Sequence, residues 1–375
     1  MKPSEFVIEH PETDAAVARM LTMLNHVYHR DPATHHGMER EFPHLFTSDN
    51  RDHLYYVALD DRVVSMVGVL PQTMLLYGYP LAVWSIGCVA TDPEYEKRGI
   101  ATQILHRVFQ DGVEAGIPLT VISGERGLYR RLDAVPVGAM MEVSGPLSAW
   151  ENFVSSMPYA TGTLREIAAR DRSRMAPRLL PLYQNHSVRF SRTAKQMGTL
   201  LDALWFARPH YDQRLWVVES HGIPIGYVVL YRSLRQPEHL TVMEWGGSPL
   251  AILPNLAHIT RAFGSHTLTL NLPIHLSWLD TTFHAHGIQT QRLPLQGTVR
   301  VLNTAHLVDD LNPLIRERHG APLNLKEADD GIWRGTGPEG DALTLTAAQI
   351  PGYLFNAEPD GLALPMAWTH DLNFV

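Results

Sequence analysis

Residues 81–91, LAVWSIGCVAT, are a nearly unbroken apolar run rich in Val, Ile and Trp, a pattern that predicts a buried strand. Ile100, Ile104, Leu105, Val108 and Phe109 then recur at helical spacing, which predicts a helix with one apolar face. Between the two lies a polar turn holding Lys97, Arg98 and Gly99. A helix that begins there offers unpaired backbone N–H groups, a partial positive charge and two cationic side chains at one point, which is the make-up of an anion site.

The same alternation organises the rest of the chain. EFVIEH reads as a short strand, and AAVARMLTMLNHVY as a helix with Val17, Met20, Leu21 and Leu24 on one side. LYYVALDDRVVSMVGVLP reads as a hairpin turned at Asp-Asp, and MLLYGYPLAVWSIGCVAT as a further strand pair. Beyond the anion turn, LTVISG is a strand and GERGLYRRLDA a loop entering a short helix. Periodicity breaks between Trp150 and Thr163, and a similar plan follows. APRLLPLYQNHSVRF and MGTLLDALWF read as helices, LWVVESHGIPIGYVVLYR as a hairpin turned at His221-Gly222, and LTVMEWGG as a strand. SPLAILPNLAHITRAFG is a helix capped by Ser248 with Pro249 in its first turn, followed by the strand HTLTLNLP and the helix LSWLDTTFHAHG. The second strand-to-helix turn, GGSPLA, has no Lys or Arg, so this copy of the anion site has lost its cations and gained a proline.

From about Thr298 a smaller unit remains, with VRVLN, the amphipathic helix HLVDDLNPLIRERHG, the Gly-rich GIWRGTGPEGD and LTLTAAQIPGYLF. The predicted layout is therefore α+β, with units at 1–150, 151–297 and 298–375.

Composition narrows the function classes. At 375 residues and 45% hydrophobic, the chain can bury several cores. A net charge of −8 and no long basic run argue against nucleic acid and favour a cationic or amine-bearing partner. A single cysteine, Cys88, excludes an internal disulfide, and MKPSEFVIEHPETD has no apolar leader core. No window approaches a membrane span, so a cytoplasmic protein without membrane partners is expected. His35-His36 and the His284/His286 pair lack a companion Cys or carboxylate cluster at ligand spacing, so no metal is expected.

Glu96, Lys97, Arg98, Gly99, Ile100 and Ala101 resemble the Q/R-x-x-G-x-G/A loop of the GNAT acyl-CoA-dependent N-acyltransferase superfamily, with Glu at the first position instead of Gln or Arg. VISGERGLYRRLDAVPVG, placed one strand later, is similar to the G-x-Y-x-R-x-G region of the Eis-like (enhanced intracellular survival) branch. That branch joins two tandem GNAT domains to a C-terminal domain resembling sterol carrier protein, the order of the three units read above. The resemblance implies acetyl-CoA as co-substrate, a small-molecule amine acceptor and a homo-oligomer, a hexamer by family likeness.

It also implies roles for particular residues. Backbone N–H groups from Lys97 to Thr102 (Lys97, Arg98, Gly99, Ile100, Ala101, Thr102) would hold the pyrophosphate. The backbone of Val89, Ala90 and Thr91 would face the thioester oxygen, and Ser123, one residue further from the tyrosine than the pattern has it, would lie beside the cofactor. Tyr129 falls at the general acid, with Arg126, Arg130 and Arg131 as sources of charge. The terminal carboxylate of Val375 would be the base, and the apolar tail residues Met366, Trp368, Leu372 and Phe374 favour burial of that segment. Cys88, with no His in the motif beside it, reads as a small buried hydrophobe. Segments at Ser191-Arg192-Thr193 and Thr34-His35-His36 are candidates for the substrate pocket. Small-amine acetylation, peptide Lys acetylation and non-catalytic acyl-CoA or lipid binding remain the open readings.

Overall fold

The computed structural model describes residues 6–28, 37–157, 162–203, 211–356, 361–367 and 372–373. Within them the chain forms three sheets. The first is built from β1 (Leu54–Leu59), β2 (Arg62–Leu76), β3 (Tyr79–Thr91) and β4 (Leu119–Ile122) in that order, with helices α1 (Asp14–Tyr28), α2 (Met38–Glu41), α3 (Ile100–Glu114) and α4 (Gly127–Arg130) around it. β1, β2 and β3 are an antiparallel meander, and β3 to β4 is a parallel crossover through α3. Both hairpins close on two residues with positive φ, Asp60-Asp61 (49°, 60°) and Tyr77-Gly78 (53°, 93°), the turn whose twist suits paired strands.

The faces of this sheet are set by alternation. Val67, Val69, Trp84, Ile86 and Val89 pack with Ile100, Ile104, Leu105, Val108 and Phe109 of α3, so the predicted apolar face is the one buried. Met66, Cys88 and Ala90 face the other way, against Met20, Met23 and Leu24 of α1 and Met38 and Phe42 around α2. The described part of EFVIEH, Phe6 to His10, is not a strand: Glu9 makes an isolated antiparallel bridge to Tyr56, and Pro11 follows.

The second sheet contains β5 (Ala139–Pro146), β6 (Thr163–Ile167), β8 (Tyr211–Ser220), β9 (Ile223–Ser233), β10 (His239–Gly247), β11 (Thr267–Pro273) and β12 (Gln289–Pro294), in the order β12-β5-β11-β10-β9-β8-β6. Helices α5 (Leu147–Ser156), α8 (Pro249–Phe263) and α9 (Asp280–Ala285) share one core with it, built on Trp150, Phe153, Leu256 and Phe283. Helices α6 (Ala176–Gln184) and α7 (Ala194–Asp202) form a separate core on the other face. His221-Gly222 again has both φ positive (50°, 77°). APRLLPLYQNHSVRF is only half helical: after α6 the chain extends into β7 (Val188–Phe190), which pairs with Met74–Leu76 of β2 and so belongs to the first sheet.

The last segment gives β13 (Thr298–Val301), α10 (Thr304–His319), β14 (Asn324–Glu327), β15 (Ile332–Thr336), β16 (Ala342–Thr346) and α11 (Ile350–Phe355). β14, β15 and β16 form the third sheet, while β13 covers the free edge of β4 with Val299 opposite Val121. Strand pairing therefore does not divide at residues 150 and 297. β5 precedes the first boundary and lies in the second sheet, and β13 follows the second boundary and lies in the first sheet. No helix among the described residues is long and apolar enough to cross a membrane.

Candidate active site

The site begins where β3 and β4 part. Their parallel pairing runs from Val83/Leu119 to Ile86/Ile122, and the Ser123 N–H donates to the Ile86 carbonyl at 3.2 Å. β4 then ends, whereas β3 continues alone on that side to Thr91. A bulge against β2, between Met66 and Gly68, places Cys88 at φ 50°, and Val89, Ala90 and Thr91 run on past the end of β4, so the two strands part in a wedge.

Past Thr91 the chain is pinned before it enters α3. The buried Asp92 carboxylate accepts from the Glu94 N–H at 3.0 Å and from Arg62 at 2.5 Å. Arg98 donates to the Glu94 carbonyl at 3.1 Å and stacks over Tyr95, its guanidinium 4.9 Å from the ring centre. Lys97 (φ 62°) and Gly99 (φ 82°) are left-handed, and a Cβ at Gly99 would meet nothing within 4 Å. Gly99 supplies no side-chain cap, so the first N–H groups of α3, at Ile100, Ala101 and Thr102, are left for a ligand. Open space beside an uncapped helix start, with the exposed Lys97 and Arg98 next to it, fits an anionic group such as a pyrophosphate.

The wedge is walled by side chains from three elements. Ser123 closes its apex, its hydroxyl 3.4 Å from the Ile86 carbonyl. Tyr129, on α4, is 4% exposed and packs against Gly124, where a Cβ would come within 2.7 Å of its ring. Burial raises its phenol pKa, the Arg126 charge opposes this, and the Cys88 thiol adds to it. Arg126 is thus the arginine acting on Tyr129, and burial outweighs it. Burial also pushes the Cys88 thiol well up, with the buried Glu41 carboxylate of α2 contributing, so Cys88 stays protonated.

The residue that sequence reasoning missed is Tyr28. It ends α1, and its hydroxyl donates to the Val89 carbonyl at 2.8 Å, directly on the bulge. Burial raises its pKa, and Cys88, Arg126 and Tyr129 all act on it electrostatically, which places the two phenols around one spot. The available signal was a phenol at the end of an amphipathic helix, just before the polar run HRDPATHH.

Against the first sheet lies a cleft of about 670 Å³. Its wall includes His44, Asn50, Gln72, Val83 and Asn373, together with the Ser191-Arg192-Thr193 segment expected there. Thr34-His35-His36 lies outside the described residues, as do Phe374 and Val375.

Residues 10–136 match the family model of the acetyltransferase (GNAT) domain. The chain carries a GNAT acetyltransferase domain. Three solved structures share the fold at low identity. A probable N-acyltransferase from Enterococcus faecalis V583 is 15% identical with a TM-score of 0.63, the match covering 92% of this chain and 85% of that one. A GCN5-related N-acetyltransferase from Anabaena variabilis is 12% identical with a TM-score of 0.63, covering 98% and 95%. Eis1 from Mycobacterium abscessus is 11% identical with a TM-score of 0.59, covering 92% and 88%. A search of curated proteins by sequence finds no match. The GNAT domain makes the protein an acyltransferase, and the wedge and uncapped helix described above lie within the matched residues.

Proposed function

We propose that the protein is an acetyl-CoA-dependent N-acetyltransferase of Eis-like type that transfers acetyl directly to a primary amine on a small, polyamine-like or aminoglycoside-like molecule. The observation that carries this reading is the β3/β4 wedge opening onto the uncapped, cation-flanked start of α3. Lys97 to Thr102 would hold the pyrophosphate, and the Val89–Thr91 backbone and Ser123 would flank the reacting end.

The amine nitrogen attacks the acetyl carbonyl carbon, the C–S bond breaks, and the departing thiolate takes the Tyr129 phenol proton. The amine gives its surplus proton to a carboxylate, for which we propose the terminal group of Val375. In support, Leu372 and Asn373, just before that group in the chain, are buried. A phenol is protonated at neutral pH; burial makes Tyr129 hold its proton more tightly still, and the Arg126 charge works against this, easing the transfer. The remainder of the reading has the tandem GNAT-like units at 1–150 and 151–297 and a sterol-carrier-like unit at 298–375. It also has the cytoplasm as compartment and a hexameric assembly.

The test is thiol release from acetyl-CoA with an aminoglycoside, spermidine and a Lys peptide, beside a chain extended by one residue past Val375. Turnover with a small amine, abolished by the extension, supports the reading. Binding of acetyl-CoA without turnover of any amine overturns it in favour of a carrier.

A further inference from the structure

The second sheet repeats the wedge of the first. β10 and β11 pair in parallel from His239/Thr267 to Val242/Leu270 and then part, and a register shift against β9 falls between Val242 and Glu244. In the first sheet the corresponding place is the Cys88–Val89 bulge, beside α1 and α2. In the second, α6 and α7 occupy that side, and Leu372 is part of the core they form with Tyr227, Val229 and Met243. Leu372 thus packs on the side of the second wedge that answers to the α1 and α2 side of the first, beside a cavity of about 100 Å³ lined by Tyr183, Glu244, Trp245 and Asn271.

The contact of the chain end with this half is a built one. Glu244 and Arg192 form a two-pronged ion pair, at 2.9 and 2.7 Å, with side chains only 3% and 2% exposed. The Tyr227 hydroxyl donates to Glu244 at 2.8 Å, and the Arg192 guanidinium lies 3.8 Å from the centre of the Tyr183 ring. Both members of the pair then hold the tail. The Leu372 N–H donates to Glu244 at 3.3 Å, and Arg192 Nε donates to the Asn373 carboxamide oxygen at 2.9 Å. Asn373 in turn donates from Nδ2 to the Tyr183 hydroxyl at 3.3 Å. Buried charges in such a pair are stable only while fully partnered, so the pair favours a seated tail over a free one.

Arg192 and Asn373 also line the cleft on the first sheet. We infer that Glu244, Arg192 and Tyr183 are a socket that seats the C-terminal segment, and that they act as positioning residues for the terminal carboxylate proposed above as the base. This inference rests on the function proposed above. It gives the half without a cation-bearing loop a role, which is to hold the end of the chain in place.

The test uses the full chain with Asn373→Ala, which removes the side-chain contacts to Arg192 and Tyr183 without touching a sheet, and Glu244→Gln, which keeps the shape but removes the charge. Hydrogen exchange at the Leu372 amide, kcat, the KM for acetyl-CoA and the thermal midpoint are followed together. Asn373→Ala is expected to speed Leu372 exchange and to lower kcat, each by about tenfold, with the acetyl-CoA KM within about twofold of wild type and the midpoint nearly unchanged. Glu244→Gln, which takes the charge from the carboxylate that Arg192 grips, is expected to lower kcat further. An unchanged kcat in Asn373→Ala overturns the positioning role, and so does a loss of activity that only follows a fall in the midpoint. If wild type turns over no amine, the proposed function fails, and with it the catalytic part of this inference. Leu372 exchange then decides the socket: protection lost in Asn373→Ala supports it, and protection that does not depend on Asn373 overturns it.

Discussion

The two large sheets make the same wedge and use it differently. In each, an antiparallel meander delivers a bulged strand that parts from its parallel neighbour just before a helix begins. In the first, Gly99 takes a left-handed conformation and offers no cap, so the N–H groups of α3 stay open beside Lys97 and Arg98. In the second, the Ser248 side chain accepts from the Leu250 N–H at 3.3 Å, and Pro249 removes a donor. The sides of the wedges differ in the same sense. Tyr28 closes α1 onto the Val89 carbonyl, while Tyr183, near the end of α6, is committed to Arg192 and Asn373. A shared backbone device is therefore not a shared site: an anion needs unsatisfied donors, and the second sheet has satisfied its own.

The largest test of this contrast falls on the ion pair beside the second wedge. Glu244→Ala is expected to cost about 3–5 kcal/mol in denaturant unfolding because it removes one partner of a buried two-pronged ion pair. Replacing both residues with Met is expected to recover most of that loss, since well-packed apolar groups suit such a site.

Tyr129→Phe is expected to lower kcat about 100-fold while leaving the acetyl-CoA KM near wild type, as loss of a general acid should. Steady-state kinetics with the best amine check it. Next, Lys97→Ala with Arg98→Ala is expected to raise the acetyl-CoA KM about tenfold, with a smaller difference at high salt. The converse change, Ser248→Lys with Pro249→Arg, is expected to create no second site, and calorimetric titration should still give one acetyl-CoA per chain.

A smaller effect, about 1 kcal/mol of stability, is expected for Tyr28→Phe from the lost bond to Val89. The smallest concerns His186, whose Nε2 lies 2.8 Å from the Trp245 carbonyl in the second half. Burial lowers its folded pKa below the usual 6.5, so the stability it contributes is present above that value and is lost as pH falls. His186→Gln is expected to flatten the acid side of the stability profile by less than about 1 kcal/mol, read from denaturant midpoints between about pH 7 and 5.

Local chemistry was legible wherever a single element settles it. The α3 face, the Asp60-Asp61 and His221-Gly222 turns and the Gly99 helix start each follow from a few adjacent residues, and the structure has them as read. What escaped were pairings at a distance. VRV at 299–301 looks like the start of a new unit until the bare edge of β4 is seen, and VRF at 188–190 looks like the end of a helix until it meets β2. Tyr28 was invisible as a site residue because its meaning depends on a bulge sixty-one positions away.

The sequence by itself determined the local make-up of the wedge: a buried strand, a basic glycine turn and a helix in the first half, and a turn without cations in the second, because each follows from adjacent residues. Only the tertiary structure decided how β5, β7 and β13 cross between the sheets, and that Arg192 and Glu244 meet to hold Leu372 and Asn373. The reason is that free strand edges and buried charges each need a partner, and the sequence shows the need without showing which partner meets it.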